Sequence, residues 1–243
     1  MRKLYDKNET NFALMWIILY VVLFSLADNI SASIGVVKSV TAPLVIIMTA
    51  VLYLWIRKNG LEEKYGLCKF KGDLKGYLYF IPLVLLASTN VWYGVKLNVS
   101  VLETIFYVLC MLGVGFLEEI IFRGFLFKAM CESNLKWAIV VSSVTFGFGH
   151  IVNLLNGRDI PETLMQMCYA VAIGFLFTII FYKGKSLWPC IITHAAINVL
   201  SVFANRDVNT MMRGIAGGVF LFVVSLLYTV YILKVEAKKA IDK

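Results

Sequence analysis

The chain is expected to be all-α and polytopic, crossing a membrane with about eight helices, and two observations carry that expectation. Of its 243 residues 60% are hydrophobic and only 16% charged, with a mean hydropathy of +0.81. A water-soluble domain has about a quarter of its residues charged, so that class is excluded. The apolar residues also fall into separate long runs, and about 20 of them in succession suffice to cross the roughly 30 Å hydrocarbon core of a bilayer. In lipid every backbone N–H and C=O must be paired within the segment, which makes each such run a helix.

In chain order the runs cover residues 12–34, 42–56, 77–91, 101–127, 137–152, 164–182, 187–203 and 214–233. The first follows a polar start and lacks a small-residue cleavage site, so it is expected to remain as an anchor, with Asp28 and Asn29 marking its outer interface. Between the second and third lies a basic connection, Arg57 to Lys75, that also carries Glu62, Glu63 and Asp73; it reads as solvated or facing lipid headgroups, with no catalytic part. The fourth, fifth and seventh runs hold the polar residues discussed below. Trp16, Trp55, Trp92, Trp137 and Trp188 fall mostly near run ends, as interfacial anchors do. A single membrane domain, 1–243, is expected.

The net charge of +8 does not indicate nucleic acid, because the cations are scattered between apolar runs rather than gathered in a basic domain. With an inward-facing amino terminus, 17 Lys and Arg residues fall on the inner side and 5 on the outer (Lys38, Lys96, Arg158, Arg206 and Arg213), leaving Arg123 within a span. The positive-inside rule then puts both termini in the cytoplasm of a multi-pass cell-membrane protein. Cys68, Cys110, Cys131, Cys168 and Cys190 are odd in number and widely spaced, so neither a disulfide framework nor a C-x-x-C site is expected.

Against the apolar background stand Glu118, Glu119 and Arg123 in the fourth run, His150 in the fifth, and His194 and Asn198 in the seventh. Ionisable groups at membrane depth are costly unless partnered and mark candidate sites. Each alone is equally well a structural hydrogen bonder, but they coincide. Glu119 and Arg123 are four apart, so they share a face and form an ion pair, while Glu118 points about 100° away and is left for chemistry. His194 and Asn198, also four apart, converge on one point. At about 1.5 Å per residue, Glu118 lies roughly 15 Å from Lys128, His150 roughly 21 Å from Lys136 and His194 roughly 14 Å from Lys185. The three meet in one slab, which places a catalytic cavity between the fourth, fifth and seventh helices. Gly147 and Gly149 suit either close backbone approach at the site or plain helix packing.

These residues resemble a known family. Glu118-Glu119-Ile120-Ile121-Phe122-Arg123 is similar to its E-E-x-x-x-R motif, Phe146 to His150 to its F-x-x-x-H, and His194 to Asn198 to its H-x-x-x-N. The family is the CAAX protease and bacteriocin-processing (CPBP, or Abi) family of intramembrane proteases, which includes the type II CAAX prenyl endopeptidases. The resemblance covers a catalytic core of about residues 102–203. It implies peptide-bond hydrolysis within the membrane, on a CAAX-type tail or a bacteriocin or signalling-peptide precursor. Glu118 and His150 would activate a water, His194 and Asn198 would stabilise the oxyanion, and Glu119 and Arg123 would hold and tune the site. Members have also been described as metalloproteases; no cofactor follows with certainty, and a zinc ion would take Glu118, His150 and His194. The absence of H-E-x-x-H, G-x-G-D and G-x-S-G leaves the Glu and His chemistry as the protease reading. A transporter or a non-catalytic scaffold is the alternative, but a transporter spreads its charges along a path, whereas these gather at one depth. The expected partners are a peptide or protein substrate and the lipid bilayer.

Overall fold

The computed structural model describes residues 1–155, 157–205, 207 and 211–241; Arg206 and Lys243, counted among the cations above, lie outside them. All regular elements among the described residues are helical. Eight apolar helices succeed one another: α1 (Glu9–Ile34), α2 (Thr41–Lys58), α3 (Leu78–Val91), α4 (Val101–Cys131), α5 (Leu135–Gly149), α6 (Ile160–Gly184), α7 (Trp188–Val202) and α8 (Met211–Ile241). The chain is a polytopic membrane protein, as its composition requires. Six of the helices are long and apolar enough to cross a bilayer, α5 when its continuation to Leu154 is counted, whereas α3 and α7 are shorter. At 15 residues α7 is about 22 Å long, less than the roughly 30 Å hydrocarbon core.

Local chemistry sets the boundaries. Asn8 caps α1 by accepting from the Asn11 amide, and α1 stops at Gly35, whose φ of 79° reverses the chain. Ser100 and Glu103 form a reciprocal capping box at the start of α4, and Glu103 also accepts from the Val37 amide in the α1–α2 turn. Asn134 caps α5. Three successive residues, Leu78, Tyr79 and Phe80, have φ of 51–60°, a left-handed entry that brings the chain into the regular part of α3, Ile81–Ser88.

The inner helices are α4 and α6, with 56% and 61% of their apolar windows buried, against 28–33% for the other long helices. Lipid-facing residues such as Ile18, Leu54 and Val84 are more than half exposed. Small residues let the backbones close in. A Cβ on Gly113 would fall 2.4 Å from Val45 of α2, and one on Gly147 would fall 2.8 Å from the Val171 amide of α6. Gly147 therefore serves helix packing, while Gly149 has open space around it. All five cysteines are free thiols. The basic connection after α2 is not a loose loop: Leu187 N donates to Gly66 O, Lys71 N to Gly184 O and Ser186 Oγ to Cys68 O, tying it to the α6–α7 turn.

Candidate active site

α4 does not run regularly to its end. Its α-helical part, Val101–Glu119, passes into a π-helical stretch, Ile120–Phe127, so Glu118 and Glu119 are the last residues before the turns widen. Such widened turns leave backbone groups seeking other partners and recur at functional sites. Here the Ser142 hydroxyl of α5 donates to Phe122 O at 2.9 Å.

Glu119 and Arg123 form the ion pair their spacing requires. Arg123 Nη1 lies 3.0 Å from Glu119 Oε1, and both side chains are fully buried. The guanidinium carbon sits 3.9 Å from the centroid of the Phe146 ring, a cation–π contact in a dry setting. Arg123 Nε and Nη2 and Glu119 Oε2 have no hydrogen-bond partner among the described residues.

His194 completes the arrangement. Its Nδ1 is 2.8 Å from the same Glu119 Oε1, and its Nε2 faces Glu118 Oε2 at 3.6 Å. A carboxylate only accepts, so Nδ1 carries the hydrogen in that bond and the ring is held with Nε2 toward Glu118. The 3.6 Å separation is too long for a direct hydrogen bond, yet both atoms can touch one water placed beside them. The closeness of α4 and α7 rests on Gly115: a Cβ there would meet the backbone of Ala195, next to His194, at 2.7–2.8 Å.

Glu118 lies outside the Glu119–Arg123 pair and has a partner of its own. The Tyr20 hydroxyl donates to its Oε1 at 2.7 Å, from a residue of α1 that is itself buried. Sequence reasoning missed this residue because a tyrosine in a long apolar run looks like any other amphipathic ring. Phe146 was visible only as part of a motif. In the fold it is the plate of the site, 5.6 Å from the His150 ring, 5.6 Å from the His194 ring and in contact with Arg123. Phe177 of α6 borders the cluster 6.4 Å from His194. The cluster expected among the fourth, fifth and seventh helices therefore also draws on the first and sixth.

His150 occupies the C-cap of α5, half-buried, within electrostatic range of Glu118, His194 and Arg123. Its ring makes no hydrogen bond or ion pair among the described residues, and its recorded neighbour is Phe146. Asn198, one turn beyond His194, is half-buried, and its side chain has no partner among the described residues. Glu118, Glu119, Arg123 and His194 are thus joined directly, His150 through Phe146, and Asn198 not at all. Among the described residues no three His, Cys, Asp or Glu side chains converge as a metal site. The Nδ1 bond to Glu119 leaves His194 Nε2 open on the side of Glu118.

A polytopic helical protein in which a buried and a part-buried carboxylate, an arginine and an imidazole cluster is the class this fold and site define. Comparison with known proteins gives the more particular finding: residues 100–200 match the model of the family described as type II CAAX prenyl endopeptidase Rce1-like. The chain is also 32% identical over 114 residues to a Bacillus subtilis (strain 168) protein named "Putative membrane peptidase YdiL". That match covers 43% of this chain and 42% of the relative, so it spans well under half the length of either. No solved structure matches. The family resemblance carried by the motifs is thereby borne out over the stretch that holds all three of them.

Proposed function

We propose that the chain is an intramembrane endopeptidase of the cell membrane, hydrolysing a peptide bond in a membrane-associated peptide or protein such as a CAAX-type tail or a bacteriocin or signalling-peptide precursor. The observation that carries the reading is the facing of Glu118 and His194 across 3.6 Å, with Glu119 and Arg123 behind the imidazole.

Charge balance explains why this combination suits hydrolysis. Two carboxylates, one guanidinium and one imidazole are electrically neutral when they share a single additional proton, and a buried cluster is least costly when neutral. Glu118 Oε2 and His194 Nε2 face each other across 3.6 Å. With a water beside them in reach of both, Glu118 takes the water's proton as its oxygen attacks the carbonyl carbon. His150, held edge-on by Phe146, steadies the water from the other side. His194, its Nδ1 anchored on Glu119, donates from Nε2 to the oxyanion when protonated, and Asn198 offers a second donor from the next turn; a donor of this kind contributes about 3 kcal/mol in a water-poor site. Collapse of the tetrahedral intermediate breaks the C–N bond, and the proton on Glu118 passes to the leaving nitrogen. A metal-dependent version of the same hydrolysis is the competing reading.

The test is cleavage of a library of membrane-tethered peptides by the purified chain in lipid vesicles, read by mass spectrometry with and without a chelator. Glu118→Ala and His150→Ala are expected to abolish cleavage while helical content and expression stay intact, and chelation is expected to leave the wild-type rate unchanged. Cleavage retained in either variant counts against the proposal, and loss on chelation transfers the chemistry to a metal.

A further inference from the structure

The two shorter apolar helices, α3 and α7, pack against each other. α7 is about 22 Å long against the roughly 30 Å of the hydrocarbon core, and α3, Leu78–Val91, is no longer. Both present apolar surface to lipid: Val84 of α3 and Ile192 of α7 are 66% and 63% exposed, and Ile81 and Leu85 of α3 are exposed as well.

Polar groups fix both ends of the pair. Past the C-terminal ends, Lys96 N donates to Phe203 O at 2.8 Å and Asn205 N to Gly94 O at 3.2 Å, so the segments leaving α3 and α7 are joined backbone to backbone. Asn98 Nδ2 closes the end of α7 by donating to Val202 O and Ala204 O, and Lys96 pairs with the exposed Asp207. Before the N-terminal ends stand the ties between the basic connection and the α6–α7 turn, together with the exposed Lys71–Glu63 pair. Trp92 and Tyr93 at one end, and Tyr79 and Trp188 at the other, are exposed aromatic residues of the kind that settle at headgroup level. Charge and paired backbone thus bracket an apolar band about 8 Å shorter than the ordinary hydrocarbon thickness.

We infer that the α3–α7 face holds a locally thinned bilayer and takes short-chain phospholipids in preference to long ones. A helix shorter than the layer is accommodated by thinning of the bilayer, by long side chains reaching for water, or by association that covers it. Reaching serves a lysine side chain, but here the backbone joint between Gly94–Lys96 and Phe203–Asn205 marks the end of the band, and it has no such reach. Tilting shortens the projected length further. A long acyl chain at this face must either crumple or draw the Lys96–Asp207 pair and the joint into hydrocarbon, whereas a short one meets neither cost. The selection is therefore one of chain length and not of headgroup charge. α7 is also the helix that carries His194, so the thinned layer lies along an element of the candidate site.

Trp92 and Trp188 stand at opposite ends of the face and report its lipid. The full chain in dioleoylphosphatidylcholine vesicles receives increasing mole fractions of brominated dimyristoleoyl- or dierucoyl-phosphatidylcholine while tryptophan fluorescence is followed. The short-chain lipid is expected to reach half of its own full quenching at a mole fraction about threefold lower than the long-chain one. Trp92→Phe with Trp188→Phe is expected to remove that preference. Equal behaviour of the two lipids with the wild-type chain, or preference for the longer, overturns the inference, and this comparison needs no variant to fold. Preference that survives in the folded double variant belongs to another face, and absence of quenching at the two tryptophans means that a second protein surface covers them; either result overturns the assignment. None of these readouts depends on peptide cleavage.

Discussion

Tyr20 donates a hydrogen bond of 2.7 Å to Glu118, joining the first helix to the carboxylate proposed as the base. The bond occupies Oε1 and leaves Oε2 toward His194. A hydrogen bond to a charged group contributes about 1.5–3 kcal/mol, so Tyr20→Phe is expected to lower kcat roughly ten- to a hundredfold. KM should change little, since the hydroxyl positions the base and is not needed for substrate binding. Steady-state kinetics separate the two, and a variant with wild-type kcat would remove Tyr20 from the mechanism.

The Glu119–Arg123 pair is expected to govern stability more than any other polar contact. Removing one partner of a fully buried pair strands the other charge, at a cost of about 3–5 kcal/mol. Arg123→Met should therefore lower the thermal midpoint sharply in detergent. Arg123→Lys should rescue poorly, because an ammonium cannot reproduce the stack on Phe146 together with the bond to Glu119. Replacing both partners, as Glu119→Gln with Arg123→Met, should recover part of the stability without recovering cleavage. Fluorescence-monitored unfolding of the three variants checks the order.

Gly115 offers a test of geometry without touching a polar group. A methyl there would lie 2.7 Å from the Ala195 amide, and backbone cannot move aside as a flexible side chain can. Gly115→Ala is expected to push α7 from α4 and lengthen the Glu118–His194 separation. Cleavage should fall at least about a hundredfold for a misplacement of this order. The same substitution at Gly149, with open space around it, should leave the rate unchanged.

The helices were legible because lipid enforces a simple rule: an apolar run must be helical, and the eight runs reappear with ends shifted by a few residues. The ion pair was legible for a similar reason, since a four-residue spacing puts Glu119 and Arg123 on one face whatever surrounds them. What could not be read is how separate helices meet. The Tyr20 bond to Glu118 and the three contacts of the Phe146 ring depend on tertiary packing, which leaves no periodic trace. The π-helical stretch after Glu119 was equally hidden, because Ile120–Phe127 reads as an ordinary apolar run. The shortness of α3 and α7 was equally unread, since the apolar run 42–56 is as brief as 77–91 and briefer than 187–203.

Asn198 is the residue whose role rests most on its motif and least on contacts. If it is the second oxyanion donor, Asn198→Ala should lower kcat about a hundredfold or more with little effect on the thermal midpoint, since the side chain has no partner to lose. Asn198→Asp, the same size without a donor, should be equally impaired. Parallel kinetics and melting curves decide this, and an active Asn198→Ala would assign the second donor elsewhere.

The turnover of Glu118→Gln in vesicles is the most direct test of the proposed hydrolysis. Glutamine retains the size of the side chain, and its carbonyl still accepts from Tyr20, so the fold and the α1–α4 contact should persist. A proton acceptor is lost, and general-base catalysis contributes roughly a hundred- to ten-thousandfold. The account predicts a fall in kcat within that range, with an unchanged melting curve. A rate within a few-fold of wild type, in protein shown to be folded, would contradict it.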